Sequence, residues 1–469
     1  MKRYISVLLA SMMILTASGC SANAPISSSA EIDEAVTNGI SAADKSDGTS
    51  SAASADGSLT GGASGAPEAA PEIGFADERE EGIFDGGAME DFEIAADSAV
   101  GEFTGAPGDF VIDDGGDIDI EEPSIQPQAG LLTGGEWRDN DHWNDWVSLY
   151  QSHEDWNSYL GEWEADHAVR HEVIVTAYGE PLEGAQVSQR NCGNIGVTSA
   201  VTDNQGRAYL FLDECNDDME HTLEVTYGEV RMTIEDVDST KSGTYTIDFT
   251  DTLGQNEVGD IQALELMLMI DTTGSMWDEL AYIQAELEDV ISRVKSDNGN
   301  IPVRVSVNFY RDEYDDYIIR EFDFTDDINK AIADLREQSA DGGGDTPEAV
   351  HTALNSVVRN HEWREDATKL MFFVLDAPPH SDVQIIDEVN NCVEIAAAQG
   401  IRIIPVASSG IDKSTEYLLR TMAFRTGGTY TFLTNHSGIG GDHIEPTIGD
   451  YEVEKLNDMM VRIINDYLS

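Results

Sequence analysis

Five consecutive apolar residues, Leu266-Met267-Leu268-Met269-Ile270, run directly into Asp271-Thr272-Thr273-Gly274-Ser275. A strand buried on both faces shows an unbroken apolar run, whereas a strand with one wet face alternates, so this stretch predicts a central parallel strand. Parallel neighbours need crossover connections and helices over both faces, which commits the surrounding chain to an α/β architecture. Past the run, Asp271, Thr273 and Ser275 occupy every second position of a turn. Their three oxygen-bearing side chains converge at the carboxyl end of the strand, the end at which open α/β sheets bind ligands.

The chain from 256 to 469 repeats this strand and helix alternation. Further strands are expected over Val303–Tyr310, Ile318–Phe324, Leu370–Leu375, Ile401–Ala407 and Thr429–Leu433. Helical faces recur over Glu279–Val294, Ile328–Glu337, Pro347–Val358, Ile385–Ala398 and Val453–Leu468. The expected fold class is α/β, a doubly wound, mostly parallel six-stranded sheet. Glu321-Phe322-Asp323-Phe324 alternates, which marks an exposed, antiparallel edge strand. His436 to Gly449 reads as a Gly-rich loop or connector before the last helix.

Ahead of this domain the composition changes several times. Residues 1–20 combine a basic start, the apolar run Ile5 to Leu15 and small residues before Cys20, the pattern of an export signal too short to span a bilayer. Residues 21–133 are dominated by Ser, Ala, Gly, Asp and Glu, with Lys45 and Arg79 the only basic residues, and are expected to form a disordered acidic tether. Residues 134–168 hold five of the seven tryptophans, at spacings that fit one face of two short helices. This stripe is expected to pack on the next domain; binding of sugar rings is the alternative. Residues 169–250 show short strands separated by turns, among them Asp203-Asn204-Gln205-Gly206, and predict a small β-sandwich. Cys192 and Cys215 lie within it as candidates for a disulfide, and Cys392 falls on the apolar side of a helix. The formal net charge of −64 excludes nucleic acid as a partner and favours cations.

Three loops of the α/β domain carry chemistry. They are Asp271 to Ser275, the segment Gly342-Gly343-Gly344-Asp345-Thr346-Pro347-Glu348, and Asp376-Ala377-Pro378-Pro379-His380. Carboxylates at strand ends with hydroxyls between them make an oxygen-only set, which suits hard cations such as Mg²⁺ or Ca²⁺. Arg311 and His380 are candidate supporting residues. Arg311 is placed either to pair with the site acids or to make a surface ion pair.

These residues carry several resemblances. Ser18-Gly19-Cys20 resembles a bacterial lipobox, with Ala17 where Leu is usual. It implies a diacylated Cys20 and a protein held at the outer face of a bacterial cell membrane. The pattern PLEGAQV…TDNQGRAYL resembles carboxypeptidase-regulatory-like and related immunoglobulin-like modules, which are mostly stalks and spacers. The last domain resembles a von Willebrand factor type A domain with its metal-ion-dependent adhesion site. That resemblance implies a cofactor, Mg²⁺ with Ca²⁺ or Mn²⁺ as substitutes, at Asp271, Thr273, Ser275 and Asp376. The second loop departs from the family pattern, because Asp345 stands close to where a Thr is usual and Thr346 lies beside it. Which of the two reaches the metal stays open. The order Asp271 to Met276, Phe309-Tyr310-Arg311-Asp312, Gly342 to Ala349, Trp363 and Asp376 to His380 is similar to bacterial and alpha-kinase-associated type A domains.

The function these features imply is surface-anchored, cation-dependent binding of a protein or other surface macromolecule. The alternatives are a structural surface protein with a fold-stabilising metal and a metal-dependent phosphohydrolase. Asp-x-Thr-Gly-Ser is similar to the phosphorylation loop of P-type ATPases, but Thr272 replaces its Lys and no Gly-Asp-Gly loop follows. His361-Glu362-Trp363-Arg364-Glu365 lacks the second His of a zinc-protease helix. The chain is therefore expected not to be an enzyme.

Overall fold

The computed structural model describes residues 127–469 except 166–168, 191–195, 213–220, 260, 262 and 345. The export signal with Cys20, the tether as far as residue 126, the Cys192 and Cys215 pair, and Asp345 all lie outside the described residues.

The chain enters through β1 (Thr133–Trp137), α1 (Trp143–Ser152) and α2 (Trp156–Trp163). A run of eight strands follows, β2 (Val169–Ala177), β3 (Glu180–Pro181), β4 (Gln186–Arg190), β5 (Val197–Val201), β6 (Arg207–Leu212), β7 (His221–Tyr227), β8 (Val230–Val237) and β9 (Gly243–Asp248). Then comes the α/β part, which begins with β10 (Leu264–Asp271), α3 (Leu280–Asp297), β11 (Val303–Tyr310), β12 (Ile319–Arg320), α4 (Ile328–Arg336) and α5 (Val350–Arg359). It continues through β13 (Thr368–Leu375), α6 (Val383–Gln399), β14 (Ile401–Ala407), α7 (Lys413–Arg425), β15 (Tyr430–Leu433), β16 (Glu454–Lys455) and α8 (Leu456–Asp466).

Every residue of β10 is buried, as its unbroken apolar run requires. Leu266, Leu268 and Ile270 face a core shared with α3, α4 and α8, while Met267 and Met269 face one shared with α5, α6 and α7. A fully buried side chain of this size contributes about 1.5–3 kcal/mol. The sheet order is β12-β11-β10-β13-β14-β15-β1-β16. From β11 to β15 the strands run parallel, and β12, β1 and β16 pair antiparallel with their neighbours.

A mostly parallel α/β fold is thus as expected, but the sheet has eight strands and not six. One addition, β1, comes from the boundary between the stretches read as tether and Trp-rich segment. Gly134 and Gly135 let it lie against β15, because a Cβ at Gly135 would stand 2.6 Å from the Phe432 ring. The buried Glu286 of α3 accepts the backbone N–H groups of Gly130, Leu131 and Leu132 at 2.6–2.9 Å, so residues 130–132 are already fixed against the α/β part. The antiparallel edge is shorter than its alternation suggests. Part of its pairing is taken over by side chains of β11, since Asn308 accepts the Phe322 N–H at 2.8 Å and Ser306 donates to the Phe322 carbonyl at 2.7 Å.

Residues 169–250 form two four-stranded sheets, one around β2 and one in the order β5-β4-β7-β8, with Val173, Val187, Leu210 and Val225 in one common core. The turn at Asp203 is built as its residues dictate. Its carboxylate accepts the N–H groups of Gln205 and Arg207, and Gly206 adopts φ +70° against the Val175 carbonyl. This module touches the amino ends of the parallel strands, through Arg402 to the Val201 carbonyl and Thr368 to Glu183. Among the described residues these hydrogen bonds to β13 and β14 lie at the amino ends and not at the carboxyl ends.

The helix α7 was not expected. Residues 413–425 show no apolar stripe because nearly all of them are buried, polar ones included. One side meets the sheet and the other is covered by the tryptophans, which pack chiefly on this helix and not on the module that follows them. Trp146 lies 4.9 Å from Phe424 and 5.2 Å from Tyr417, and Trp163 donates to Ser414. Being buried, these rings are packing surface. Arg420 sits beside Trp146 and Trp156 and pairs with Asp139 at 2.6 Å and Glu416 at 3.3 Å. Arg420→Met is expected to cost about 3–5 kcal/mol, because it leaves the buried Asp139 carboxylate without its ion partner, whereas Glu416 keeps Lys413 at 2.8 Å. A lowered urea midpoint for unfolding is the measurement that checks this.

Candidate metal centre

The direction of winding reverses between β10 and β13, since β10 leads to β11 on one side and β13 to β14 on the other. Loops leaving two such strands part from each other and open a crevice. Asp271 ends β10 and Asp376 follows β13, so both carboxylates stand at that crevice.

The first loop is wound tightly. Asp271 Oδ1 accepts the Thr273 N–H at 2.8 Å and the Thr273 hydroxyl at 2.7 Å, and the Thr273 and Ser275 hydroxyls lie 3.1 Å apart. The Ser275 hydroxyl also favours the ionised form of the Asp376 carboxyl. Asp271 and Thr273 are buried and Ser275 is exposed, so the oxygen set leads from the interior to solvent. The second loop lies against the first, with Gly274 N–H on the Gly342 carbonyl at 3.2 Å and Asp341 N–H on the Thr272 carbonyl at 3.1 Å. Gly343 adopts φ +65°, a conformation side chains rarely take, and a Cβ there would crowd Glu348 Oε1 at 3.2 Å. Thr346 is exposed and Asp345 lies outside the described residues. The third loop is latched to the second by the Glu348 N–H on the Pro378 carbonyl at 2.9 Å.

The two supporting residues are present and hydrogen-bond to the loops, and the Arg311 charge also acts on Asp271 by favouring its ionised form. Arg311 is buried and donates to the carbonyls of Thr272 at 3.0 Å and Ser339 at 2.8 Å, which joins the first loop to the approach of the second. Being buried, it is not a surface ion pair. His380 bonds Asp312 at 2.9 Å. Asp315 accepts the N–H groups of Asp312 and Gly343, so the turn after β11 acts as a fourth loop.

The structure adds Glu348, which no sequence argument singled out. It is 2% exposed, and its Oε2 has no hydrogen-bond partner, as is true of Asp271 Oδ2, Asp376 Oδ1 and the Tyr310 hydroxyl. Coming just after Thr346-Pro347, it reads in sequence as an ordinary acid at a helix start. Its neighbourhood is acidic. Burial, and then the charges of Asp271, Asp312, Asp376 and Asp315, push the Glu348 carboxyl up to about 9. Burial raises Asp271 to about 6, and burial with the Asp271 charge raises Asp376 to about 7. Among the described residues none of these three acids has a salt bridge.

Buried, unpaired carboxylate oxygens beside hydroxyls fit a small hard cation, which supplies the missing positive charge. The set is mixed, since among the described residues no three His, Cys, Asp or Glu side chains are grouped as a metal cage. Hydroxyls and water would have to complete the coordination.

Residues 265–444 match the von Willebrand factor A domain. The match spans less than half of the chain and takes in all three loops of the site. Over 195 residues the chain is 29% identical to an ariadne-like RING finger protein of Acanthamoeba polyphaga mimivirus, a match covering 37% of this chain and 19% of that relative. Among solved structures it is similar to the conserved hypothetical protein BatB of Bacteroides thetaiotaomicron, with 12% identity, a TM-score of 0.31, and coverage of 44% of this chain and 98% of that one. Among the described residues no helix is long and apolar enough to cross a membrane.

The raised acid fixes the sign of a pH effect in the α/β domain. Without cation, Glu348 is protonated in the fold at low pH and must ionise in place as pH rises towards about 9, so its share of stability is present in acid and lost with rising pH. In chelator, Glu348→Gln is expected to be more stable than wild type by about 1–3 kcal/mol near pH 8 and to match it near pH 4. Thermal melts across that range check the crossing.

Proposed function

We propose that this protein binds a divalent cation, Mg²⁺ or in its place Mn²⁺ or Ca²⁺, and uses the loaded site to capture a surface macromolecule. The carrying observation is the pair of buried, unpartnered oxygens, Asp271 Oδ2 and Asp376 Oδ1, at the winding reversal of the sheet. A protein does not bury two adjoining carboxylates without a counter-charge unless something else provides it. Thr273 and Ser275 supply hydroxyl ligands, the acids hold the cation's waters, and Thr346 or Asp345 completes the set from the second loop. The match to the von Willebrand factor A domain supports the same reading.

The binding role is non-catalytic. Asp271 is fully buried, with one oxygen committed to Thr273, which suits a fixed ligand better than an attacking nucleophile. Arg311, the nearest guanidinium to the first loop's backbone, is spent on carbonyls and is not free to hold a phosphoryl group. The β-module, read as an immunoglobulin-like sandwich, serves as a spacer at the opposite end of the sheet. An export signal and acylated Cys20 place the protein on the outer face of a bacterial membrane.

Asp271→Ala is expected to abolish Mn²⁺ binding and capture of the native partner together while keeping the far-ultraviolet circular dichroism of wild type. Calorimetry and pull-down from the host, with and without EDTA, check this. Capture that persists in EDTA contradicts the proposal. A fall in melting temperature on chelation with no partner captured favours the structural reading.

A further inference from the structure

Three of the few large apolar side chains that the fold exposes stand on the loops that ring the candidate metal centre. Trp277 follows the first loop and is 76% exposed, Tyr314 lies in the turn after β11 at 95%, and Val383 opens α6 after the third loop at 61%. Single exposed apolar residues are ordinary, but here three crown one site while the sheet's other end is covered by the β-module.

The charge between them has one sign. Glu313, Asp316, Asp341 and Asp382 are all exposed on the same loops. Residues 272–279, 311–318, 340–349 and 376–382 contain one Lys or Arg, the buried Arg311. A divalent cation in the centre offsets two of the charges of Asp271, Asp376 and Glu348 and leaves the rim negative. An incoming carboxylate would meet that field, whereas a guanidinium or ammonium is drawn to it.

We infer that the partner surface recognised at this crown is a basic polypeptide segment, with Arg or Lys facing the acidic rim and apolar groups against Trp277, Tyr314 and Val383. The inference rests on the cation-site reading for where capture occurs and goes beyond it in naming the partner's chemistry. Trp277 and Tyr314 are the anchors, because aromatic rings take both apolar contact and the face of a guanidinium.

The test uses the full chain with two fluorescent peptides of equal length, one alternating Arg with Leu and Tyr, its twin carrying Glu in place of Arg. Fluorescence anisotropy in physiological salt with Mg²⁺ is expected to rank the Arg peptide above the Glu peptide by about tenfold or more. Trp277→Ala with Tyr314→Ala should weaken the Arg peptide about tenfold with no change in net charge, and Asp341→Asn with Asp382→Asn should weaken it and flatten its salt dependence. These positions are exposed, so the variants keep the fold. Preference for the Glu peptide overturns the inference. So does an Arg-peptide affinity that both double variants leave unchanged, which would place the binding on acids elsewhere in the chain. Mn²⁺ titration of the same samples judges the cation reading separately: a wild type that binds no Mn²⁺ sinks that reading, and the peptide ranking still decides the rim.

Discussion

Negative charge held out of water at the end of β10 is the constraint around which the rest of the structure is arranged. Asp271, Glu348 and Asp376 are brought together by three separate elements, none has a salt bridge among the described residues, and each is pushed above the ordinary carboxylate range. Such a cluster opposes folding on its own, so the scaffold must be stable enough to impose it. The two cores on either face of the sheet provide that stability, and the strand order decides where the cluster falls. Because β10 and β13 are neighbours whose following segments depart in opposite directions, no crossover covers the space between their ends.

The loops themselves are fixed mainly by backbone groups, which leaves side-chain oxygens available. Arg311 shows the principle. Its guanidinium could neutralise a nearby acid, yet it is drawn to two carbonyls and laid over the Tyr317 ring at 4.6 Å. Thr272 likewise gives its hydroxyl to the Tyr310 carbonyl and the Tyr317 hydroxyl, not to the crevice. A side chain at Gly342 would overlap the Asp315 carboxylate, so the second loop can lie close to the turn after β11 only with glycine there. Preorganisation of this kind lets an ion bind without reordering the chain.

How far these features could be read from sequence varied with how each element is buried. The strand β14 ends where its apolar run ends, and β10 was legible from an unbroken apolar run of strand length that stops at Asp271. In contrast α7 has no stripe to detect, since Glu416 and Arg420 are satisfied by Asp139 and by each other across a contact nearly three hundred residues apart in part. Two adjacent glycines hid β1, which looks like linker until Phe432 and Met459 are seen to need the space. At the site, Asp271, Thr273, Ser275 and Asp376 could be named from spacing after predicted strands. Glu348 could not, because what distinguishes it from a common first-turn acid is the company of Asp271 and Asp376, which only the sheet order creates.

The opposed placement of module and crown gives the molecule a direction. Contacts to the β-module gather at the amino ends of β13 and β14, and the crevice opens at the other end of the same strands. The described chain enters the sheet through residues 130–137. There it is held by the antiparallel pairing of β1 with β15 and by the three N–H groups gathered by Glu286. Glu286 belongs to α3, the helix that follows the first loop, so one helix both holds the incoming chain and continues the segment that begins at Asp271. That is a physical reason for a buried acid at this point, since strand pairing holds β1 to β15 and β16 but only the Glu286 carboxylate ties the incoming backbone to α3.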